Sequence, residues 1–236
     1  ASAQCALATM TWVLRARSLQ QARALAAEDA ARYVGLWHEQ LLPAPGFRDA
    51  LRALEGAWRD VQDDTALALP KLQTAPSLHA LLLQADALND VLAVKLHALG
   101  AVHGGAFYRA DVKAEARAFQ KLNRTYHGEW RRLCDLCRAS LEFETVGAME
   151  ACLRAIGADA ELQVVKAGDD KMRLREGFEG GYRDIQLCVR LDSAEARARG
   201  VHEHLAEVQL HLGAIAALKS DGGHANYVMC RNLAGG

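Results

Sequence analysis

The stretch from Ile185 to Leu191 sets apolar side chains at Ile185, Leu187, Val189 and Leu191, with Gln186, Cys188 and Arg190 between them. Alternation with a period of two is the signature of a β-strand with one buried face. Gly181-Tyr182-Arg183-Asp184, just before it, reads as the opening of the same strand. A second alternating run follows, with Leu205, Val208, Leu210 and Leu212 set against Glu207, Gln209 and His211, and a slip at Ala206. Two such runs require a sheet with one covered face and exclude an all-helical fold. Glu207 stands out, because a carboxylate in mid-strand is unfavourable by propensity and needs solvent or a function.

The rest of the chain favours helix. It is rich in Ala and Leu and has only 4 prolines in 236 residues, a composition with high helix propensity. The region 1–103 reads as a helical bundle-like region. Pro43-Ala44-Pro45-Gly46 interrupts it, since proline cannot continue a helix. A helix then runs from about Phe47 to Gln62, with Leu51, Leu54 and Trp58 on one face. Pro70 to Pro76 is a connector, and Ser77 is the expected N-cap of an apolar helix ending near Gly100. Trp12, Trp37 and Trp58 are expected in the core.

From 104 to 236 the pattern becomes mixed. A charged helix is expected over 109–126, a short helix or turn over 130–136, a strand over 139–144, a helix over 146–156 and a strand over 162–165. A polar loop over 166–181 then precedes the two strands above. A charged helix or turn over 194–199 joins those strands, and a short helix over 213–219 follows them. Alternating elements of this kind indicate an α+β fold with a mixed sheet of about four to five strands flanked by helices.

Bulk properties narrow the function. With 28 basic and 29 acidic residues the formal charge is −1, which gives no electrostatic footprint for nucleic acid or a membrane surface. No apolar run reaches the roughly 18 residues of a membrane span, and Cys5 to Leu14 lacks the basic flank of a signal peptide. Because the sequence starts at Ala1, a processed form or a fragment of a larger protein is expected. The six cysteines, Cys5, Cys134, Cys137, Cys152, Cys188 and Cys230, have no disulfide-framework spacing. They read as reduced thiols in a reducing intracellular compartment. Cys134 and Cys137 form a CxxC with no second pair at a zinc-site distance.

Several residues in the second half recur in a known order. Lys113 and Lys121 are spaced basic residues, and Asp135 leads into a strand. Lys171, Arg173 and Arg175 form a basic loop before Gly181-Tyr182-Arg183, and Glu207-Val208-Gln209 closes the series. In this order, over 109–231, the chain resembles the RelA/SpoT-like nucleotidyltransferase-fold family, the synthetase domain that makes guanosine tetra- and pentaphosphate alarmones. The first 100 residues lie outside the resemblance. They carry no His-Asp metal motif of the hydrolase type, so alarmone degradation is not implied.

The resemblance implies a Mg²⁺-dependent pyrophosphoryl- or nucleotidyl-transferase using ATP or GTP. The acceptor is left open among a nucleotide, tRNA and a protein. Asp135 and Glu207 would be the catalytic, metal-binding pair, as Mg²⁺ is usually held by one or two carboxylates plus phosphates. Lys113, Lys121, Arg138, Lys171, Arg173, Arg175, Tyr182, Arg183, Gln209 and His224 would bind the nucleotide. Cations in this set neutralise charge developing on the phosphates, Tyr182 would stack on a base, and Glu207 would help deprotonate the acceptor hydroxyl. Each residue also has a structural reading: Asp135 as a solvated turn residue, Glu207 paired with an arginine, and His211 and His224 as hydrogen-bonded structural histidines.

The sequence departs from the alarmone-synthetase pattern in places. Ser140 stands where the well-known synthetases have an arginine, and Arg183-Asp184-Ile185-Gln186 and Leu210-His211-Leu212 replace familiar runs. These mark a divergent branch. A second reading is therefore a catalytically inactive fold serving as a binding or scaffold module, with protein partners docking on the N-terminal helices.

Overall fold

The computed structural model describes residues 2–64, 72–165, 172, 174 and 181–218. Two compact units divide the chain. Among the described residues, one contains 2–45, 181–183 and 214–218, and the other contains 46–64, 72–165, 172, 174 and 184–213.

The larger unit is an α+β unit built on a five-stranded mixed sheet. Its elements in chain order are α2 (Phe47–Asp64), α3 (Leu78–Val102), β1 (Gly105–Arg109), α4 (Glu115–Tyr126), a 3₁₀ turn (Trp130–Arg132), β2 (Arg138–Phe143), α5 (Val146–Gly157), β3 (Leu162–Val165), β4 (Ile185–Leu191), α6 (Ala194–Ala198) and β5 (Leu205–Leu212). The strand order is β1-β2-β5-β4-β3. β2 runs parallel to β5, and the other neighbouring pairs are antiparallel. Helices α2 and α3, placed by sequence in an N-terminal helical region, lie in the same compact unit as the sheet.

Alternation sorts the two sheet faces. Leu141, Phe143, Ile185, Leu187, Val189, Val208 and Leu210 are all buried. Each such side chain contributes about 1.5–3 kcal/mol through removal from water. α3 and α5 cover this face, and α2 packs outside α5. The layers are closely fitted: a Cβ on Gly157 of α5 would lie 2.6 Å from Val61 of α2, and one on Gly100 of α3 would lie 2.8 Å from Leu141 of β2. Ser77 caps α3 as its sequence predicts, its side chain accepting from the Ala80 N–H at 3.1 Å.

The tertiary arrangement corrects several sequence expectations. β1 has no counterpart in the sequence reading. It is a five-residue edge strand that leaves α3 through Gly104 at φ +71°, and its run Gly-Ala-Phe-Tyr-Arg has no polar–apolar alternation to announce it. The helix expected from Arg109 begins only at Glu115, so Lys113 lies in the connection before it, its N–H donating to Leu136 O at 3.0 Å. The alternation of β5 has no slip: Leu205 shares the face of Glu207, and Ala206 shares the buried face of Val208, because Ala206 pairs with Val189 and Val208 with Leu187. β4 starts at Ile185, so 181–184 is not strand.

The other unit contains α1 (Ser2–Gly35), which runs into a π-helical turn (Leu36–Leu41), and most of the short helix α7 (Gly213–Leu218). Trp37 is buried, but Trp12 is 70% exposed, contrary to its expected place in the core. The apolar residues of α1 scatter around the helix instead of forming one stripe, so covering one side leaves others in water. Gly181 explains why the chain is not a strand here. Its φ is +77°, and an added Cβ would sit 2.9 Å from Tyr33 Cβ and 3.1 Å from Ala30 O. Only glycine combines that conformation with so close an approach to α1.

Candidate active site

The second sheet face carries the polar residues. Strand register lines them up in rows: Arg138, Glu207 and Cys188 in one, Ser140, Gln209 and Gln186 in the next, then Glu142 beside His211. Glu207 is half-buried, its N–H donates to Cys137 O at 3.0 Å, and its Oε1 accepts from Gln209 Nε2 at 2.7 Å. The carboxylate and amide that the sequence singles out are thus partners two residues apart on one strand.

Asp135 lies in the connection leading to β2 and is buried. Its Oδ2 accepts from both Lys113 and Lys121, the latter at 2.7 Å. Burial by itself would raise the Asp135 pKa, but the ammonium groups of Lys121 and Lys113 reverse that and hold it at about 2. Lys121 is depressed by burial and more than restored by Asp135, with a smaller contribution from Glu207, so its pKa ends raised. Lys113 ends lowered: burial dominates, Asp135 opposes it, and the charges of Lys121 and Arg138 add to the depression. Lys121 also lies 5.3 Å from the centre of the Tyr126 ring, and the Arg132 guanidinium lies 5.4 Å from the same ring.

Lys113, Lys121, Arg138, Asp135 and Glu207 therefore form one charged neighbourhood at the start of β2 and β5. Gln73 ties its two backbones together, and sequence reasoning missed it. Gln73 is fully buried. Its Nε2 donates to Leu133 O and Leu205 O, both at 2.8 Å, and its Oε1 accepts from the Leu205 N–H at 2.9 Å. Leu133 and Leu205 each precede one of the two carboxylates by two residues. The segment around Gln73 is held by Arg131, whose backbone oxygen and side-chain Nε both bond the Gln73 backbone, at 2.7 and 2.9 Å. A glutamine between two prolines in a connector gives no local signal for this role.

Tyr182 and Arg183 lie in the other unit. The Tyr182 ring meets Tyr33 edge-on at 5.8 Å, and the Arg183 guanidinium sits 4.3 Å above the Trp37 ring. Burial pushes the Tyr33 hydroxyl up to about 12, with Asp29 adding to the effect. Lys171, Arg173, Arg175 and His224 lie outside the described residues.

Asp135 Oδ1 is buried and has no hydrogen-bond partner among the described residues. Together with half-buried Glu207 it offers two carboxylates, the number Mg²⁺ takes from a protein when phosphates and water complete its shell. Among the described residues, no group of three or more His, Cys, Asp or Glu side chains could hold a metal ion. Among the described residues, no helix is long and apolar enough to cross a membrane.

No protein-family model and no curated protein sequence matches the chain. Solved structures do. The small alarmone synthetase 1 from Bacillus subtilis bound to its product pppGpp is 20% identical, with a TM-score of 0.50 over 62% of this chain and 77% of that one. A second structure of small alarmone synthetase 1 from Bacillus subtilis is 18% identical, over 64% and 86% of the two chains, with a TM-score of 0.46. The complex between the Type VI effector Tas1 and its immunity protein is 21% identical, over 66% and 77%, with a TM-score of 0.40. The first of these carries the fold, which agrees with the ordered residues from Lys113 to Gln209: the chain has the RelA/SpoT-like fold of the alarmone synthetases.

Proposed function

We propose that the protein is a Mg²⁺-dependent transferase that binds ATP or GTP and passes a pyrophosphoryl or nucleotidyl group to an acceptor hydroxyl on a nucleotide, a tRNA or a protein. The observation that carries this reading is the cluster of Lys113, Lys121 and Asp135 beside Glu207 at one end of β2 and β5. Lys113 and Lys121 are two half-buried cations within reach of a triphosphate, where low surrounding polarity strengthens each charge contact. Their present partner is Asp135, so an incoming polyphosphate exchanges one anion for another without leaving either lysine bare. Asp135 Oδ1 and Glu207 would hold the metal, which when bound neutralises phosphate charge.

Glu207 is the carboxylate suited to accept a proton from the acceptor hydroxyl. It is half-exposed and oriented by Gln209, whereas Asp135 is committed to two lysines. Arg138, its neighbour in register, adds positive charge on the same face. Tyr182 and Arg183 are proposed nucleotide contacts, as are Lys171, Arg173, Arg175 and His224.

The test is incubation of the protein with labelled ATP or GTP, Mg²⁺ and a panel of nucleotides, tRNA and proteins. Wild type is expected to yield a labelled acceptor, and Glu207→Gln to lose roughly 10²-fold or more of that rate. A second reading, an inactive fold acting as a binding module, is favoured by the closed Lys113–Asp135–Lys121 ion-pair group and by Ser140 in place of an arginine. That reading predicts no Glu207-dependent product with any acceptor.

A further inference from the structure

The sequence presents Cys134 and Cys137 as a CxxC, but the fold separates them. Cys137 is buried, and its Sγ points to Asn89 Oδ1 of α3, 3.9 Å away, on the covered side of the sheet. Cys134 turns to the other side. It is half-buried and packs against a small apolar cluster made of Val165, Cys188 and Leu205. Cys188 belongs to β4 and reaches that cluster because its row holds Val165 of β3 on one side and Glu207 of β5 on the other. The thiol that shares an environment with Cys134 is therefore Cys188, remote in sequence.

We propose that Cys134 and Cys188 form an oxidisable dithiol, a modification site for a hydroperoxide. The step balances as a two-electron oxidation. Cys134 sulfur attacks one peroxide oxygen, the O–O bond breaks, and the product is a sulfenic acid with one water released. Cys188 sulfur then attacks the sulfenic sulfur, the S–S bond forms, and a second water leaves. Hydrogen peroxide is reduced to two waters, and two thiols lose their protons and two electrons. Cys134 is the entry point because it is half-buried, whereas Cys137, Cys152 and Cys188 are buried. Cys137 and Cys152 remain spectators: burial pushes both thiols up to about 12, which suppresses the thiolate that reacts.

The bridge would reach the candidate active site from both sides. Cys134 directly precedes Asp135, and Cys188 is the register partner of Glu207. Closing it ties the Asp135 connection to β4 and limits the movement that frees Lys113 and Lys121 for a polyphosphate. This consequence rests on the proposed function, whereas the bond itself does not.

The experiment treats the whole reduced chain with stoichiometric hydrogen peroxide, blocks remaining thiols, and maps peptides without reduction. A Cys134–Cys188 linked peptide is expected, reversed by dithiothreitol and absent from Cys134→Ser and from Cys188→Ala. A Cys134–Cys137 link, or Cys134 oxidised with Cys188 still alkylated, overturns the proposal. Running the transferase assay on the same samples separates the two claims. Loss of turnover on oxidation that Cys188→Ala prevents supports the coupling. A mapped bridge in a protein without turnover leaves the dithiol standing and removes only the transferase reading.

Discussion

Asp135 lies in a connection, is buried, and accepts hydrogen bonds from two lysines. Glu207 lies on a strand, is half-exposed, and accepts from the Gln209 amide. The two carboxylates flank adjacent strands that run in parallel, yet their surroundings differ. Asp135 is a fixed charge that holds Lys113 and Lys121 in place. Among the described residues Glu207 forms no such lysine ion pair, and its carboxylate is half-exposed. Chemically equal side chains diverge because one is surrounded by fixed cations in a dry setting and the other by an amide near water.

The largest difference should appear in stability. Asp135→Asn removes the counter-charge of two substantially buried ammonium groups, so urea unfolding should show a loss of about 3–5 kcal/mol. A loss below about 1 kcal/mol would show that the lysines simply turn outward, and the contrast with Glu207 would collapse.

Gln73→Leu comes next. It keeps the volume but strands the Leu205 N–H and the carbonyls of Leu133 and Leu205, each costing about 1–3 kcal/mol when buried without a partner. A drop of about 3 kcal/mol in the unfolding free energy is expected. If the variant remains folded, any transferase rate should fall with it, because both carboxylate-bearing backbones lose their shared clamp.

Acid unfolding sharpens the comparison further. The folded Asp135 pKa, at about 2, is below the ordinary 3.8. Its contribution is therefore complete above about pH 4–5 and is lost as pH falls toward 2, by about 2 kcal/mol. His204 acts in a higher window. Burial pushes its pKa down from 6.5 to about 4, so its neutral form supports the fold above pH 6.5 and its contribution is lost between 6.5 and 4. Stability curves of Asp135→Asn and His204→Gln should each lack one of these two limbs.

Glu207→Gln should have the smallest structural effect. A half-exposed carboxylate exchanged for an amide of equal size should move the unfolding free energy by less than about 1 kcal/mol. Activity loss without stability loss would mark Glu207 as functional, and a large stability loss would show that it, too, helps hold the fold.

How much was legible depended on whether the signal was local. Alternation in 185–191 and 205–212, the Ser77 cap and the proline break at 43–46 all follow from period and backbone chemistry, and they appear as read, apart from the place of Leu205. β1 was not legible, because five residues on a sheet edge carry no period of their own. Trp12 misled, since an aromatic side chain is counted as core only when something covers it. Gly181 carried information that a strand reading obscured: its positive φ turns the chain where continuation was expected.

The sequence alone determined that a mixed sheet with one apolar face exists, that Glu207 and Gln209 share a face, and that a basic series precedes Asp135 in RelA/SpoT-like order. Hydrophobic period and residue order are properties of the chain itself. Tertiary structure decided the rest: that Lys113 and Lys121 close on Asp135, that Gln73 clamps Leu133 to Leu205, and that Cys134 packs against the apolar cluster that holds Cys188, away from the Asn89 side where Cys137 points. These pairings join residues 14 to 132 positions apart. Only strand register and layer packing bring such residues together, and neither is written in a local run of sequence.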